Sequence, residues 1–145
     1  MPKLDSPEAV DAEIQRELYK LELLGQRLTE LRLMKHGYYT PQNEYVPGAD
    51  FEYAESYDEQ VRTLYYDCND LEKPKDQRPK WPGEDVRASI VAKDIPLEKR
   101  QHKAALDGEI KSLTEYRLIT SDRLSGLQSL LGYRKEEAKA AAQSG

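Results

Sequence analysis

Apolar side chains recur at steps of three and four over two long stretches of this chain, the rhythm of helices that turn one face to a partner. In the first stretch Ile14, Leu18, Leu21, Leu24 (or Gly25), Leu28, Leu31 and Met34 follow at that spacing. Its ends are marked as well. Ser6 stands as a candidate N-cap, and Pro7 follows at the first helical position, where its missing N–H costs nothing. Glu8, Asp11 and Glu13 place negative charge at the positive end of the helix dipole. Lys35 and His36 sit at the far end, and Gly37 suits a C′ position. The pattern predicts a helix over 6–36, about 45 Å long at the α-helical rise.

The second stretch is more regular. Leu106, Ile110, Leu113, Arg117, Thr120, Leu124, Leu127 and Leu131 alternate steps of four and three, a heptad with a polar interruption at Arg117 and Thr120. With Asp94 as N-cap, a helix over 95–131 is predicted, with the Thr120–Ser121–Asp122 run and Gly126 as places where it bends or restarts. The tail, 132–145, has helix propensity but no apolar face.

Between these stretches the chain changes character twice. Residues 37–50 read as a Tyr/Pro loop. Over 51–72, Tyr53, Tyr57, Val61, Leu64 (or Tyr65), Cys68 and Leu71 share one face of a shorter, acidic helix. Residues 73–94 form a basic loop broken by Pro74, Pro79 and Pro82, with a short helical or extended piece at 84–92. The expected fold class is all-α, a single elongated helical domain. Two long amphipathic helices, as a helical hairpin or coiled coil, are joined by a long loop region containing a shorter third helix. A connection of that size packs back on its own helices or reaches to a neighbour.

Composition thins the picture. Hydrophobic residues make up 38% of the chain and charged residues 34%, with a mean hydropathy of -0.86. Ordinary globular chains run at about 45–50% and about 25% respectively. The deficit points to a thin core, or to one that a partner completes. The net charge of -5 conceals a sharp division. Residues 37–72 set the single base Arg62 against 9 acids, whereas residues 73–103 carry 9 bases and 5 acids. The two segments can neutralise one another within a chain or between copies, and most of the surface disfavours nucleic acid.

Cys68 is the only cysteine, so an internal disulfide and a Cys-rich metal site are excluded. The first residues lack a charged-then-apolar leader pattern, and no apolar run approaches a membrane span. The expected location is cytoplasmic or within a virion, not secreted.

Candidate chemistry is sparse. His36 and His102 are the only histidines and lack further ligands at metal-site spacing. Cys68 sits between Asp67 and Asp70, acids that disfavour a thiolate, and its helical position is apolar. Glu52, Glu55, Asp58 and Glu59 have no calcium-loop pattern and read as a solvated or partner-facing helix surface. No phosphate-loop or nucleophile-elbow motif occurs. The chain is expected to be no enzyme, with no catalytic residue, cofactor, metal or small-molecule substrate.

Trp81, flanked by Lys73, Lys75, Arg78 and Lys80, suits either an anchor for its loop or a surface contact. An SH3-like groove is not matched, because Asp76 stands where a base is required. Phosphate contact is conceivable, but so few charges make a weak nucleic-acid site. Tyrosine is over-used, with ten Tyr against one Phe and one Trp. Tyr suits half-buried surfaces that need a hydrogen bond, and it supplies contact area at low entropic cost. Tyr38, Tyr39, Tyr45, Tyr53, Tyr57 and Trp81 are therefore the candidate partner interface. Ile14, Leu18, Leu21, Leu28, Leu31, Leu106, Ile110, Leu113, Leu124, Leu127 and Leu131 are the candidate helix-packing seam.

These residues point to a non-enzymatic structural or adaptor subunit of a larger assembly that works through protein partners or self-association; a virion accessory component fits. The alternative is an acidic inhibitor, a nucleic-acid-mimicking decoy that fills a basic groove on a target. Salt separates the two, since a decoy weakens steeply as ionic strength rises while apolar packing persists.

Overall fold

The computed structural model describes residues 3–144. Among them run α1 (Pro7–His36), β1 (Tyr38–Tyr39), β2 (Tyr45–Val46), α2 (Ala49–Cys68), a 3-10 turn (Lys75–Gln77), α3 (Glu84–Asp94) and α4 (Leu97–Ser144). Helix dominates, as the periodicity predicts, and a two-stranded ribbon is added to it.

The first helix starts and stops where its caps require. The Ala9 N–H donates to Ser6 Oγ at 3.1 Å, satisfying one of the orphan donors of the first turn. At the other end Gly37 adopts φ +83°, and its N–H donates to the Leu33 carbonyl at 2.8 Å. Gly37 then lies against Gly48 so closely that a Cβ on Gly48 would collide with the backbone of Lys35 and Gly37. Two glycines thus let the chain return to the end of α1.

What returns it is a hairpin in place of the loop expected over 37–50. Tyr38 pairs with Val46 and Tyr39 with Tyr45, antiparallel. Pro41 occupies the second turn position, and Asn43 takes φ +63°, a region its short side chain tolerates. The Thr40 N–H donates to the Glu44 carbonyl and the Asn43 N–H to the Thr40 carbonyl, both at 2.8 Å.

α2 begins two residues before position 51 and ends before 72. Asn69 stops it. Its backbone N–H and its side-chain amide both donate to the Tyr65 carbonyl, the amide at 2.8 Å, and Asp70 Oδ1 then accepts from the Glu72 N–H. Within the basic loop expected over 73–94, the short helical or extended piece at 84–92 is a helix. After Pro82 and Gly83 no proline intervenes until Pro96, and Glu84 and Asp85 supply the acidic first turn of α3, which packs against α2. Asp94 is the last residue of α3 rather than the cap of α4. The break falls at Ile95–Pro96, where buried Ile95 is pinned and the Pro96 carbonyl accepts from the Lys99 and Arg100 N–H groups.

α4 passes without interruption through Ser121, Gly126 and the tail as far as Ser144. Its hydroxyls bond inward instead of breaking it: Thr114 Oγ1 to the Ile110 carbonyl at 2.7 Å, Thr120 Oγ1 to the Tyr116 carbonyl at 2.9 Å.

Where the pattern suggests a single domain, the chain divides into two compact units, Met1–Glu30 with Glu109–Gly145, and Leu31–Gly108. The core of the first unit is Val10, Ile14, Leu124 and Leu127, with Leu4, Leu21, Leu130 and Leu131 at its edges. In the second unit Leu31, Ala49, Val91, Ile95 and Leu106 are buried.

Burial corrects one part of the predicted seam. On α1 the inward positions are Val10, Ile14, Glu17, Leu21, Leu24, Leu28 and Leu31, a strict alternation of fours and threes. Leu18 is 42% exposed, because Glu17 occupies that place in the stripe. On α4 Leu106, Thr120, Leu124 and Leu127 are buried, Ile110, Leu113 and Leu131 are half-buried, and Arg117 faces solvent.

Candidate interaction surfaces

In the first unit the apolar cluster continues into a charged layer. The Glu17 side chain is only 2% exposed, yet its Oε1 lies 3.0 Å from Lys20 Nζ and 3.4 Å from Arg123 Nε. One helical turn away, Glu13 meets Arg16 at 2.6 Å and Arg123 at 3.0 Å. Hydrogen bonding to Arg16, reinforced by Arg123, holds the Glu13 carboxyl below its ordinary range, and Glu17 lifts the Lys20 ammonium above its own. The carboxylates are buried and the cations straddle the surface, an arrangement that keeps each buried charge paired. Further along, Arg27 bridges Glu30 and Glu109, and the Arg134 Nε–H donates to the Leu4 carbonyl.

The second unit carries a similar polar knot. Lys35 meets Asp107 at 2.8 Å, and Lys103 meets Asp50 at 2.8 Å and Asp107 at 3.3 Å. His36 Nδ1 lies 3.4 Å from Asp50. Hydrogen bonding from Lys35, with Lys103 behind it, depresses the Asp107 carboxyl, while Asp50 first and Asp107 second raise Lys103. His36 is thus the end residue of α1 beside an acid, and His102 borders an open cavity with Glu52, Glu98 and Lys99. Among the described residues no group of three or more His, Cys, Asp or Glu side chains is placed to hold a metal ion. No described helix is long and apolar enough to cross a membrane.

The aromatic candidates do not form one patch. Tyr39 and Tyr45 meet at a tilt of 50° with ring centroids 5.2 Å apart, and Tyr45 meets Phe51 edge-on at 6.1 Å. The Tyr45 hydroxyl donates to the His36 carbonyl at 2.8 Å, so Tyr45 also caps an orphan acceptor of α1. Tyr38, Tyr39, Tyr45 and Phe51 all keep a large exposed area. Tyr53 and Tyr57 are half-buried, Tyr53 with Lys103 Nζ 5.7 Å over its ring. Trp81 belongs to a separate group, edge-on to Tyr65 at 5.6 Å with the Arg87 guanidinium 4.8 Å above its ring. Phe51, Tyr65 and Arg87 were not foreshadowed as partners in these clusters. Phe51 lies outside the apolar face that starts at Tyr53 and carries no strand signal, while Tyr65 competes with Leu64 for one place in the helix stripe.

No protein-family model, curated protein or solved structure matches this chain. Its surfaces offer apolar and aromatic contact area, paired buried charges and open clefts.

Proposed function

We propose that this chain is a non-enzymatic structural or adaptor subunit that acts through helix–helix packing, with α1 and α4 forming an antiparallel helical hairpin. Within the first unit, ties from Leu4 to Arg134, Glu13 to Arg123 and Arg27 to Glu109 support the antiparallel sense. The observation that carries the assembly role is the apolar surface left outside the core. Tyr19 and Leu23 on α1, and Tyr116 and Ile119 on α4, are large, more than two-fifths exposed, and spaced as helical neighbours. Single exposed apolar residues need no explanation, but paired ones on a helix with so slim a core favour a partner helix. The exposed Tyr39–Tyr45–Phe51 cluster adds rigid contact area in the other unit.

Sedimentation of the chain alone and in lysate from its source tests this reading. The expected mass exceeds the 16.7 kDa of one chain in at least one condition, and Leu23→Lys with Ile119→Lys returns it to that value. A monomeric mass in both conditions refutes the proposal. The inhibitor reading keeps one supporting observation: Glu55, Asp58 and Glu59 are exposed on α2 and enter no ion pair among the described residues. A complex that dissociates steeply with added salt favours it, and one that persists favours assembly.

A further inference from the structure

Residues 68–81 enclose an open cavity of about 410 Å³ lined by Cys68, Asn69, Lys75, Arg78, Lys80 and Trp81, together with Pro79. The acidic α2 does not neutralise its wall: among the described residues Lys75, Arg78 and Lys80 enter no ion pair. Three cations bordering one cavity repel each other, and a single carboxylate leaves most of that repulsion in place.

The frame behind them is fixed. Pro74, Pro79 and Pro82 restrict the backbone, and the Gln77 N–H donates to the Pro74 carbonyl at 2.9 Å. The Arg78 Nε–H donates to the Lys73 carbonyl at 3.1 Å, which orients the guanidinium and leaves its terminal N–H groups available. Trp81 is held between Tyr65 and Arg87. Arg78 and Trp81 are thus held before a ligand arrives, while the exposed Lys75 and Lys80 side chains turn to meet it.

We propose that this cavity binds a phosphate monoester. The group carries nearly two negative charges on three oxygens, matching three cations better than a carboxylate does, and planar Arg forks suit it. The volume lies within the range of small-ligand sites, leaving room for the body the phosphate is attached to. That body is either a free small molecule or a phosphorylated side chain, and the site chemistry is the same for both.

Trp81 is the only tryptophan, so its fluorescence reports this cavity alone. Full-length protein is titrated with inorganic phosphate, phosphotyrosine and a phosphoserine peptide, with succinate at matched ionic strength as control, and ³¹P NMR as a second readout. The phosphate probes are expected to give a saturable change that succinate does not. Arg78→Ala weakens it about tenfold or more, and Arg78→Lys less, as for a lost bond to a charged group. Lys75→Ala and Lys80→Ala, whose side chains make no hydrogen bond among the described residues, weaken it with unchanged helicity. Binding tighter for the peptide than for inorganic phosphate assigns the source to a phosphorylated protein; the reverse assigns a free small molecule. Equal response to succinate, no saturation with any phosphate probe, or wild-type binding in both lysine variants overturns the site.

Discussion

Replacing Leu127 with Asp, beside the same change at Leu18, decides whether the stripe on α1 and α4 is what holds the first unit. Leu127 is 6% exposed and packs with Val10, Ile14 and Leu124. Removing a nearly buried leucine forfeits about 2–3 kcal/mol of apolar transfer. Leaving an unpaired carboxylate among those side chains adds several more, unless the group is protonated or escapes to water. A domain of this kind holds about 5–15 kcal/mol in total, and a core this thin belongs at the lower end. Leu127→Asp is therefore expected to unfold much of the first unit, lowering the far-UV helical signal and the urea midpoint together. Leu18, already 42% exposed, should tolerate Asp within about 0.5 kcal/mol. Urea titrations of both variants, followed by circular dichroism, measure the contrast. Equal losses would restore Leu18 to the seam, and wild-type behaviour at Leu127 would remove the seam altogether.

Gly48→Ala should cost about 1–3 kcal/mol, because its methyl group has to displace the backbone at Lys35 and Gly37, and a thermal melt measures the loss. Glu13 and Asp107 titrate below their ordinary range when folded, so their contribution is complete above the unfolded carboxyl pKa of about 4 and disappears as pH falls through the lower folded values. Melts between neutral and acid pH should show that decline, and Arg16→Gln with Arg123→Gln should flatten it for Glu13. Lys103 runs the other way: its raised value gives stability that is present below the ordinary lysine pKa and lost as pH rises through the folded one. Lys103→Met should remove that alkaline decline in the same melts. Glu17→Leu removes the buried carboxylate and leaves Lys20 and Arg123 half-exposed, where water solvates them, so the melting midpoint should be unchanged or higher; a clear drop in the midpoint would show that the charge is needed for stability itself.

α1 was legible because it carried two independent signals, an apolar period and terminal caps; α4 carried the period alone, since Asp94 closes α3 and the helix runs on to Ser144. Ser6 and Gly37 act as the sequence suggests. The register of α1 was less legible. Leu18 and Glu17 are adjacent, and hydrophobicity alone assigns the inward place to leucine. The structure gives it to Glu17 because Lys20 and Arg123 stand ready to pair with it. Arg123, which lies on α4 far along the sequence, decides the choice together with Lys20, and periodicity carries no record of such a partner. The hairpin escaped for another reason: its strands are two residues each, too short to alternate. α3 was legible only as a helical or extended piece at 84–92, because of its residues only Val91 is fully buried and no apolar stripe decides between the two. The division of the aromatics into separate clusters was equally hidden, because Tyr45 and Phe51 meet across a turn while Trp81 meets Tyr65 across a proline-rich segment.

On the proposed hairpin, the charged layer at Glu17 becomes a constraint on register. Leucines at heptad spacing pack nearly as well after one helix slides by a repeat, so apolar stripes alone specify pairing loosely. Glu17 does not share that tolerance. Arg123 is the base that reaches both it and Glu13, and a displaced α4 would leave two carboxylates without that partner. An unpaired buried charge costs far more than the pair contributes in place. The polar break on α4 falls at Arg117 and Thr120, near Arg123 in the stripe, so both helices interrupt their apolar faces in the same region. On the proposed assembly role, a chain that leaves further apolar surface for partners has reason to fix its own pairing first. With apolar residues such as Leu23 and Ile119 also exposed on the outer faces, inner and outer stripes would otherwise compete for the same contacts, and a buried pair of opposite charges distinguishes the face that closes within the chain from the one the proposal leaves to a neighbour.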